Sequence, residues 1–289
     1  MNIIKYHKVF YGLSLGVMAI ALVMYLVFGF NLGIDFKGGT KFQLEFGQEI
    51  PQSEIKAILK DFNLKEDVIY SGQDNTSIVI LTAKVLDNSE RQEVLAPLVE
   101  QYGLKPDAVS SQLVSQTVGK EILQSGLYSV LLSALGMLIY ITFRFELRFG
   151  LAAVVALLHD VMIMLSVYVI FRVPVNAAFI AAVLIVVGYS INDTIVVFDR
   201  IRDTAKYSKT SNPERIADES IVATFTRTIN TSLTTLLVVL ALAIFGASSI
   251  KELAFPLLAG ISTGTYSSIC IASPIWVALK KAQKSQVKA

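Results

Sequence analysis

The chain has 289 residues, of which 54% are hydrophobic and 17% are charged, and its mean hydropathy is +0.60. This apolar share exceeds that of ordinary soluble domains and indicates a membrane protein. The net charge of +2 gives no sign of a nucleic-acid-binding surface, and the single cysteine, Cys270, excludes an internal disulfide and a cysteine-based metal site.

Six apolar segments are long enough to cross a bilayer, which takes roughly 20 residues. In chain order they cover residues 9–30, 124–143, 149–171, 175–198, 221–247 and 253–279. The first segment is too long for the apolar part of a signal peptide, so we expect an uncleaved anchor. The sequence therefore predicts an α-helical polytopic membrane protein with six transmembrane helices.

Lysine and arginine are distributed unevenly between the two sides of the predicted helices. If the N-terminus is cytoplasmic, fourteen basic residues fall in the inside segments and only two, Arg172 and Lys251, in the short outside turns. Basic residues accumulate in cytoplasmic loops. We therefore expect both termini to be cytoplasmic, with a cytoplasmic loop at 200–220 that combines a helical extension, a turn at Asn212-Pro213 and a short amphipathic helix.

Three parts of the chain are then expected. Residues 1–30 hold the cytoplasmic N-terminus and the first helix, residues 31–123 form a small extracytoplasmic domain, and residues 124–289 form a five-helix bundle. Alternating apolar residues predict strands, and helical spacing predicts helices. Ser53 is expected to cap the first helix, and Pro97 lies inside the second. The order βαββαβ predicts an α+β ferredoxin-like domain. The strands are at 40–46, 67–71, 76–82 and 107–114, the helices at 53–62 and 88–103, and a turn at 72–75.

Four ionisable residues lie inside the predicted spans: His159, Asp160, Asp193 and Arg227. A charge at the centre of a bilayer costs about 2.5–3.5 kcal/mol even on lenient insertion scales, so such residues normally face a partner or a hydrated cavity. They are the first candidates for function.

Asp193 and Arg227 are expected at matching depth on consecutive antiparallel helices, where a buried ion pair is feasible. One interpretation is structural, with the pair fixing helix register. The other is mechanistic, with Asp193 exchanging a proton under the influence of Arg227. Hydroxyls at three- and four-residue spacing favour the mechanistic interpretation, because one structural pair does not need so many polar neighbours. They belong to Thr224, Thr228, Thr231, Thr234 and Thr235.

His159 and Asp160 are adjacent and therefore point about 100° apart on a helix, so they face different partners. A packing contact in the bundle interior and a second station in a proton path are both open interpretations. Neither a paired-histidine motif nor a phosphate-binding loop nor a nucleophile elbow occurs, so we expect no metal, no cofactor and no enzymatic activity. Two GxxxG motifs, Gly12/Gly16 and Gly260/Gly264, predict close helix packing, with contact to a partner subunit as the alternative.

Four motifs in order resemble the SecF family, the smaller half of the SecDF complex of bacterial protein export. "GIDFKGGT" contains Gly33, Asp35, Gly38 and Gly39, and "LLHDV" contains His159 and Asp160. The third motif, "VGYSINDTIVVFDRIRD", contains Ser190, Asn192 and Asp193, and the fourth, "TRTINTSLTTLL", contains Arg227, Thr231 and Thr234. The resemblance covers nearly the whole chain.

The resemblance implies a fold similar to one half of a resistance-nodulation-division transporter, in the bacterial inner membrane. It implies that SecD supplies six more helices, either as a separate polypeptide or fused upstream, and the basic start "MNIIKYHK" favours a separate one. It also implies that the protein works with the SecYEG channel and SecA, and that YajC and YidC are further partners. The substrate would be a translocating polypeptide, and the proton-motive force would assist the late stage of its translocation. Asp193 would carry the proton and Arg227 would be its counter-charge, supported by Ser190, Asn192, Thr231 and Thr234. A non-transporting scaffold and half of a small-molecule efflux pump are the alternatives.

Overall fold

Helices dominate the chain in this computed structural model, which describes residues 2–62, 66–71, 76–208, 210–246 and 248–286. The helices are α1 (His7–Phe28), α2 (Ile34–Lys37), α3 (Gln52–Leu59), α4 (Asn88–Tyr102), α5 (Gln116–Arg144), α6 (Leu147–Ile170), α7 (Ala177–Tyr207), α8 (Pro213–Phe245), α9 (Ser248–Ser267) and α10 (Ser273–Gln286). The strands are β1 (Gly39–Glu45), β2 (Glu66–Ser71), β3 (Ser77–Thr82) and β4 (Val109–Val114).

Six helical segments of the described chain are long and apolar enough to span a membrane, as the sequence predicts. They are Ile4–Phe28, Gln116–Arg144, Leu147–Ile170, Ala177–Tyr207, Pro213–Phe245 and Ile250–Gln283. The sixth combines α9, a π-helical segment at Ser268–Ala272 and α10, an interruption that the apolar pattern does not predict.

The start of α5 differs from the sequence prediction. α5 begins at Gln116 rather than near 124, with Ser115 accepting a hydrogen bond from Thr117 N at 3.3 Å. The first turns of α5 are polar, so hydropathy alone does not show them. The segment at 200–220 has the predicted helical extension and break, because α7 continues to Tyr207 and α8 begins at Pro213, with Asn212 as its cap.

Polar contacts define two ends of the helix bundle. At one end, here called the termini end, the Ile4 amide donates to Asp218 Oδ1 at 3.0 Å, and Lys280 Nζ pairs with Glu146 Oε2 at 3.1 Å. At the other, called the domain end, the side chain of Arg172 donates from Nη1 to the Gly29 carbonyl at 2.6 Å. Ile4 and Lys280, which are near the two ends of the sequence, therefore lie at the same end of the bundle.

α9 lies in the middle of the bundle and packs against α6, α7 and α8. A Cβ added at Gly260 would be 2.3 Å from Val186 Cγ2, so α7 and α9 approach as closely as the second GxxxG motif predicts. Gly12 and Gly16 of the first motif make no such contact within the described chain, where a Cβ at either would meet nothing within 4 Å, and their contact with a partner subunit stays a prediction. Close packing thus concentrates on the helix that carries Asp193.

The four strands form one antiparallel sheet in the order β2-β3-β1-β4. Its elements follow one another as β1, α3, β2, β3, α4 and β4, which is the order that the sequence patterns predict. One face of the sheet packs against the two helices. Fully buried side chains of this core are Phe42, Leu44, Ile55, Leu59, Ile78, Ile80 and Leu98.

The helix ends of this sheet domain are set by residues other than the predicted cap. Ser53 lies inside α3, whose N-cap position is Pro51. At α4, Asp87 Oδ1 accepts from Glu90 N at 2.8 Å and Glu90 Oε2 accepts from Asp87 N at 2.9 Å, a reciprocal capping box. The backbone hydrogen bond from Glu90 lowers the pKa of Asp87. α4 continues through Pro97, and the predicted turn at 72–75 lies outside the described residues.

Candidate functional site

Asp193 lies on α7 in the interior of the bundle, with 2% of its surface exposed. Its Oδ2 accepts a hydrogen bond from the Ser232 hydroxyl of α8 at 3.1 Å. The Thr265 hydroxyl of α9 in turn donates to Ser232 Oγ at 2.6 Å. Three helices therefore converge on one buried carboxylate, which hydroxyl groups approach instead of a cation.

The hydroxyls next to Asp193 each have a second acceptor. Ser232 Oγ lies 2.9 Å from the Thr228 carbonyl, and Thr265 Oγ1 lies 3.0 Å from the Ile261 carbonyl. A hydroxyl carries one proton but can also accept hydrogen bonds. Ser232 can therefore donate to an ionised Asp193, or donate to Thr228 and accept from a protonated Asp193. Both protonation states of the carboxyl group keep a hydrogen-bond partner.

Arg227 does not form the direct ion pair with Asp193 that matching depth made feasible. Its side chain is exposed in the isolated chain, and its charge interacts with Asp193 only at longer range. The reason is helix rotation: Arg227 is five residues before Ser232 on α8, so the two side chains point about 140° apart. Since Ser232 faces Asp193, Arg227 faces away from it.

Arg227 instead lines a cavity of about 560 Å³ at the termini end, between α5, α7 and α8. Asp199, Asp203 and Arg144 line the same cavity, and so does Thr224. Asp199 also forms an ion pair with Arg202, in which Oδ1 lies 2.8 Å from Nη2. The cavity therefore has a strongly polar wall beside the buried part of α8.

The hydroxyl residues of α8 divide into two groups rather than forming one stripe. Thr224, Thr228 and Ser232 are buried and recur every four residues on one face, from the cavity to Asp193. Thr228 Oγ1 is buried without a hydrogen-bond partner among the described residues. Thr231 is half-buried and Thr234 is exposed. Only the buried group leads to the carboxylate.

The predicted supporting residues lie elsewhere than beside Asp193. Thr231 and Thr234 donate within their own helix, to the carbonyls of Arg227 and Thr231, and Asn192 is exposed. Ser190 donates to Asp160. Ser232 and Thr265, which do approach Asp193, are absent from the predicted set. The four-residue spacing of Thr224, Thr228 and Ser232 was the signal in the sequence that could have identified Ser232.

Asp160 forms a second buried polar centre, 2% exposed. Its Oδ2 accepts from Ser190 Oγ of α7 at 2.6 Å and from Ser267 Oγ of α9 at 2.7 Å. Its Oδ1 lies 3.0 Å from His159 Nδ1. Three donors around one carboxyl group satisfy an ionised carboxylate without any change in the surroundings.

His159 extends this centre to α1. Its Nε2 lies 2.8 Å from Ser14 Oγ, and Ser14 Oγ lies 3.3 Å from the Tyr266 hydroxyl. With Nδ1 protonated, the ring donates to Asp160 and accepts from Ser14, so every group is satisfied. His159 and Asp160 therefore face different helices, as their adjacency predicts, and together they join α1, α6, α7 and α9.

The glycine-bearing segment after α1 contacts the start of α7. Gly33 N donates to the Val175 carbonyl at 2.7 Å, and Asp35 Oδ2 accepts from Ala177 N at 2.9 Å. Gly38 and Gly39 have φ values of +75° and +149°, and a Cβ at Gly39 would be 2.1 Å from the Thr82 carbonyl oxygen. Only glycine fits where β1 enters the sheet so close to β3.

Metal-ligand clusters are not found in the described ranges, where no three His, Cys, Asp or Glu side chains come together. Asp193 and Asp160 are each bound by hydroxyls from neighbouring helices. The chemistry available at both centres is proton exchange and hydrogen bonding.

Comparison with known proteins gives consistent matches over the whole chain. The family described as protein export membrane protein SecD/SecF, C-terminal, matches residues 94–282, and the SecD/SecF GG motif matches residues 26–50. The protein translocase subunit SecF of Sebaldella termitidis is 37% identical over 290 residues, covering 98% of this chain and 93% of that protein.

Longer relatives match over part of their length. The protein translocase subunit SecDF of Bacillus subtilis is 38% identical over 277 residues, which are 94% of this chain and 37% of that protein. The crystal structure of SecDF from Thermus thermophilus, described as a translocon-associated membrane protein, superposes with a TM-score of 0.82 at 31% identity. The match covers 97% of this chain and 39% of that one.

Proposed function

Because the chain belongs to the SecD/SecF family of protein-export membrane proteins, we propose that it is a translocase subunit that couples proton movement to the export of polypeptides. The chain spans 37% of the SecDF relative, and in the proposed complex a SecD partner supplies the remaining part. The substrate is a polypeptide that leaves the SecYEG channel after SecA has driven it through. The proton-motive force assists late translocation and release.

The observation that carries the proposal is the pairing of buried Asp193 with a hydroxyl that can serve both its ionised and its protonated form. A carboxylate inside a membrane is energetically costly, so a protein that has one normally uses it for function. Here no cationic side chain among the described residues contacts the carboxylate directly to fix its charge. Asp193 is therefore proposed as the proton carrier.

The buried hydroxyls of α8 provide the path between Asp193 and the cavity at the termini end. Thr224, Thr228 and Ser232 lie about 6 Å apart along the helix axis, at 1.5 Å per residue. A water molecule that makes two hydrogen bonds of about 2.8 Å covers such a step. In this path the proton leaves Asp193 through Ser232 and reaches the cavity that Thr224 lines.

Arg227 is proposed to act as a mobile counter-charge rather than a fixed ion-pair partner. It lines the cavity into which the proton is released, and its charge reaches Asp193 electrostatically. A cation that approaches Asp193 favours the ionised carboxylate and hence proton release. His159 and Asp160 are proposed to couple this event to the bundle, because their hydrogen bonds join α6 to α1, α7 and α9, and α7 carries Asp193.

The orientation is proposed from the distribution of basic residues: both termini are cytoplasmic and the sheet domain is outside the cytoplasm. The strand order β2-β3-β1-β4 and the two helices support a ferredoxin-like assignment for that domain. Protons would then enter from the domain end and leave through the cavity at the termini end.

The test is the Asp193→Asn variant, expressed with SecD in membrane vesicles that otherwise lack both proteins. The measurement is export of a secreted precursor with and without an imposed proton gradient. We expect the complex to assemble and the gradient-dependent part of export to disappear. Ser262→Ala, an exposed hydroxyl that donates to its own helix at Leu258, is the control and should export normally.

Other outcomes decide between the candidate functions. If the Asp193→Asn complex assembles and still exports in a gradient-dependent way, Asp193 is not the proton carrier. If the Asp193→Asn complex fails to assemble, the result favours a scaffold in which the intramembrane charges hold the two subunits together. Altered drug sensitivity with normal precursor processing would favour a small-molecule efflux pump.

A further inference from the structure

The segment between α1 and β1 holds the turn between α6 and α7 through backbone contacts. Leu32 and Val175 form a parallel bridge, in which Gly33 N donates to the Val175 carbonyl at 2.7 Å and Val175 N donates to the Asn31 carbonyl at 2.8 Å. Asn31 Nδ2 also donates to the carbonyl of Arg172 at 2.7 Å. The turn therefore has a fixed position relative to this segment.

α7 has two caps at its N-terminus, and only one of them is local. Asn176 Oδ1 accepts from Phe179 N at 3.1 Å, which is the usual cap from the residue before the helix. Asp35 Oδ2 accepts from Ala177 N at 2.9 Å, although Asp35 is far away in the sequence. A carboxylate at this position also meets the positive end of the helix dipole. The second cap thus connects α7 to a different part of the chain.

Asp35 lies directly before the sheet domain in the chain. It lies in the single turn of α2, and β1 begins four residues later at Gly39. On its other side α2 rests on α5, where a Cβ added at Gly119 would be 1.9 Å from the Asp35 carbonyl oxygen. A backbone packed between two elements transmits a displacement instead of absorbing it.

We infer that Asp35 is a positioning residue that sets the place of α7, and so of Asp193, according to the position of the sheet domain. Asp193 lies sixteen residues beyond Ala177 on the same continuous helix, about 24 Å along its axis. Since an α-helix is stiff along its axis, a shift of its capped end reaches the carboxylate. The inference rests on the proposed function of Asp193 and gives it a mechanical connection to the domain that faces the exported chain.

The test uses carbodiimide, which modifies protonated carboxyl groups, on the purified complex with SecD. The rate of modification of Asp193 is measured by mass spectrometry of the peptide that contains it. Asp35→Ala removes the acceptor for Ala177 N, and we expect the rate to change by about fivefold, the factor that corresponds to one lost helix cap. Asp35→Asn keeps an oxygen acceptor, so its rate should stay close to that of the original protein.

Asp87→Ala is the matched control, because Asp87 caps α4 in the same domain and has no contact with α7. If it changes the rate as Asp35→Ala does, general destabilisation explains the effect and the inference is wrong. An unchanged rate of Asp193 modification in Asp35→Ala also overturns the inference. So does a changed rate in Asp35→Asn, because the charge of Asp35 and not its hydrogen bond to the helix would then matter. Modification does not depend on export, so a failure of the proposed function is seen separately in the Asp193→Asn export assay.

Discussion

The hydroxyl of Ser232 lies 3.1 Å from Asp193 Oδ2 and 2.9 Å from the carbonyl of Thr228, so one proton has two acceptors. This arrangement makes Ser232 the residue through which the protonation state of Asp193 reaches the rest of α8. It also explains why Arg227, on another side of the same helix, is not the direct partner.

Replacement of Ser232 by alanine is expected to lower gradient-dependent export about tenfold or more, because a hydrogen bond to a charged group contributes about 1.5–3 kcal/mol. Without the hydroxyl, an ionised Asp193 loses the donor that Ser232 supplies. Vesicle export with an imposed gradient measures the effect. Ser262→Ala removes a comparable back-bonded hydroxyl from an exposed site and should have no effect. Equal export by the two variants would contradict the role of Ser232.

The six spans were predictable because length and apolar composition decide whether a helix can cross a bilayer. The sheet was predictable because alternation decides which face of a strand is buried. Neither property reports helix rotation about its axis. That rotation places Ser232 rather than Arg227 against Asp193, and it places Thr234 on the exposed side of α8.

Contacts between distant segments were also beyond the sequence. Asp35 and Ala177 are joined only after α1, α2 and the α6–α7 turn have packed together. The π-helical segment at Ser268–Ala272 had no local signal either, because its one serine, Ser268, bonds to partners on other turns and helices, such as Thr194. Tertiary packing decides such features, and local propensity does not.

Asp160→Ala is expected to destabilise the folded chain by about 3 kcal/mol or more, since buried donors left without an acceptor cost about 1–3 kcal/mol each. Ser190 and His159 would lose their acceptor, and Ser267 would keep only the Gly264 carbonyl at 3.1 Å. Asp160→Asn keeps one carbonyl oxygen and should lose less. Denaturant unfolding of the SecD complex in detergent measures the difference. If both variants unfold at the same denaturant concentration as the original, the three hydrogen bonds do not stabilise the bundle.

The capping box at Asp87 predicts a pH dependence for α4. The Glu90 amide lowers the pKa of Asp87 below its ordinary value of 3.8. The stability that ionised Asp87 gives to α4 is therefore fully present above the pKa of Asp87 in the unfolded chain. It is lost as the pH falls through the lower pKa of Asp87 in the folded chain. Amide hydrogen exchange across α4, measured from neutral pH to pH 3 with correction for the intrinsic rate, should show protection falling in that acid range. Asp87→Asn should show no such titration, because asparagine caps a helix without an ionisable group. Identical pH profiles for the two proteins would contradict this assignment.

Gly119→Ala is expected to destabilise the chain by about 1–3 kcal/mol, the usual cost of forcing extra volume into a packed site. The new Cβ would lie 1.9 Å from the Asp35 carbonyl oxygen and 2.9 Å from Phe36 Cα, so α2 or α5 must move. Gly136→Ala on the same helix is the matched control, because a Cβ there would meet nothing within 4 Å and alanine favours the helix by about 0.5–1 kcal/mol. Denaturant unfolding separates the two substitutions. Because the displaced residue is Asp35, Gly119→Ala should also change carbodiimide modification of Asp193 in the direction that Asp35→Ala changes it. Destabilisation without a change in modification would show that α2 and α7 are not mechanically connected.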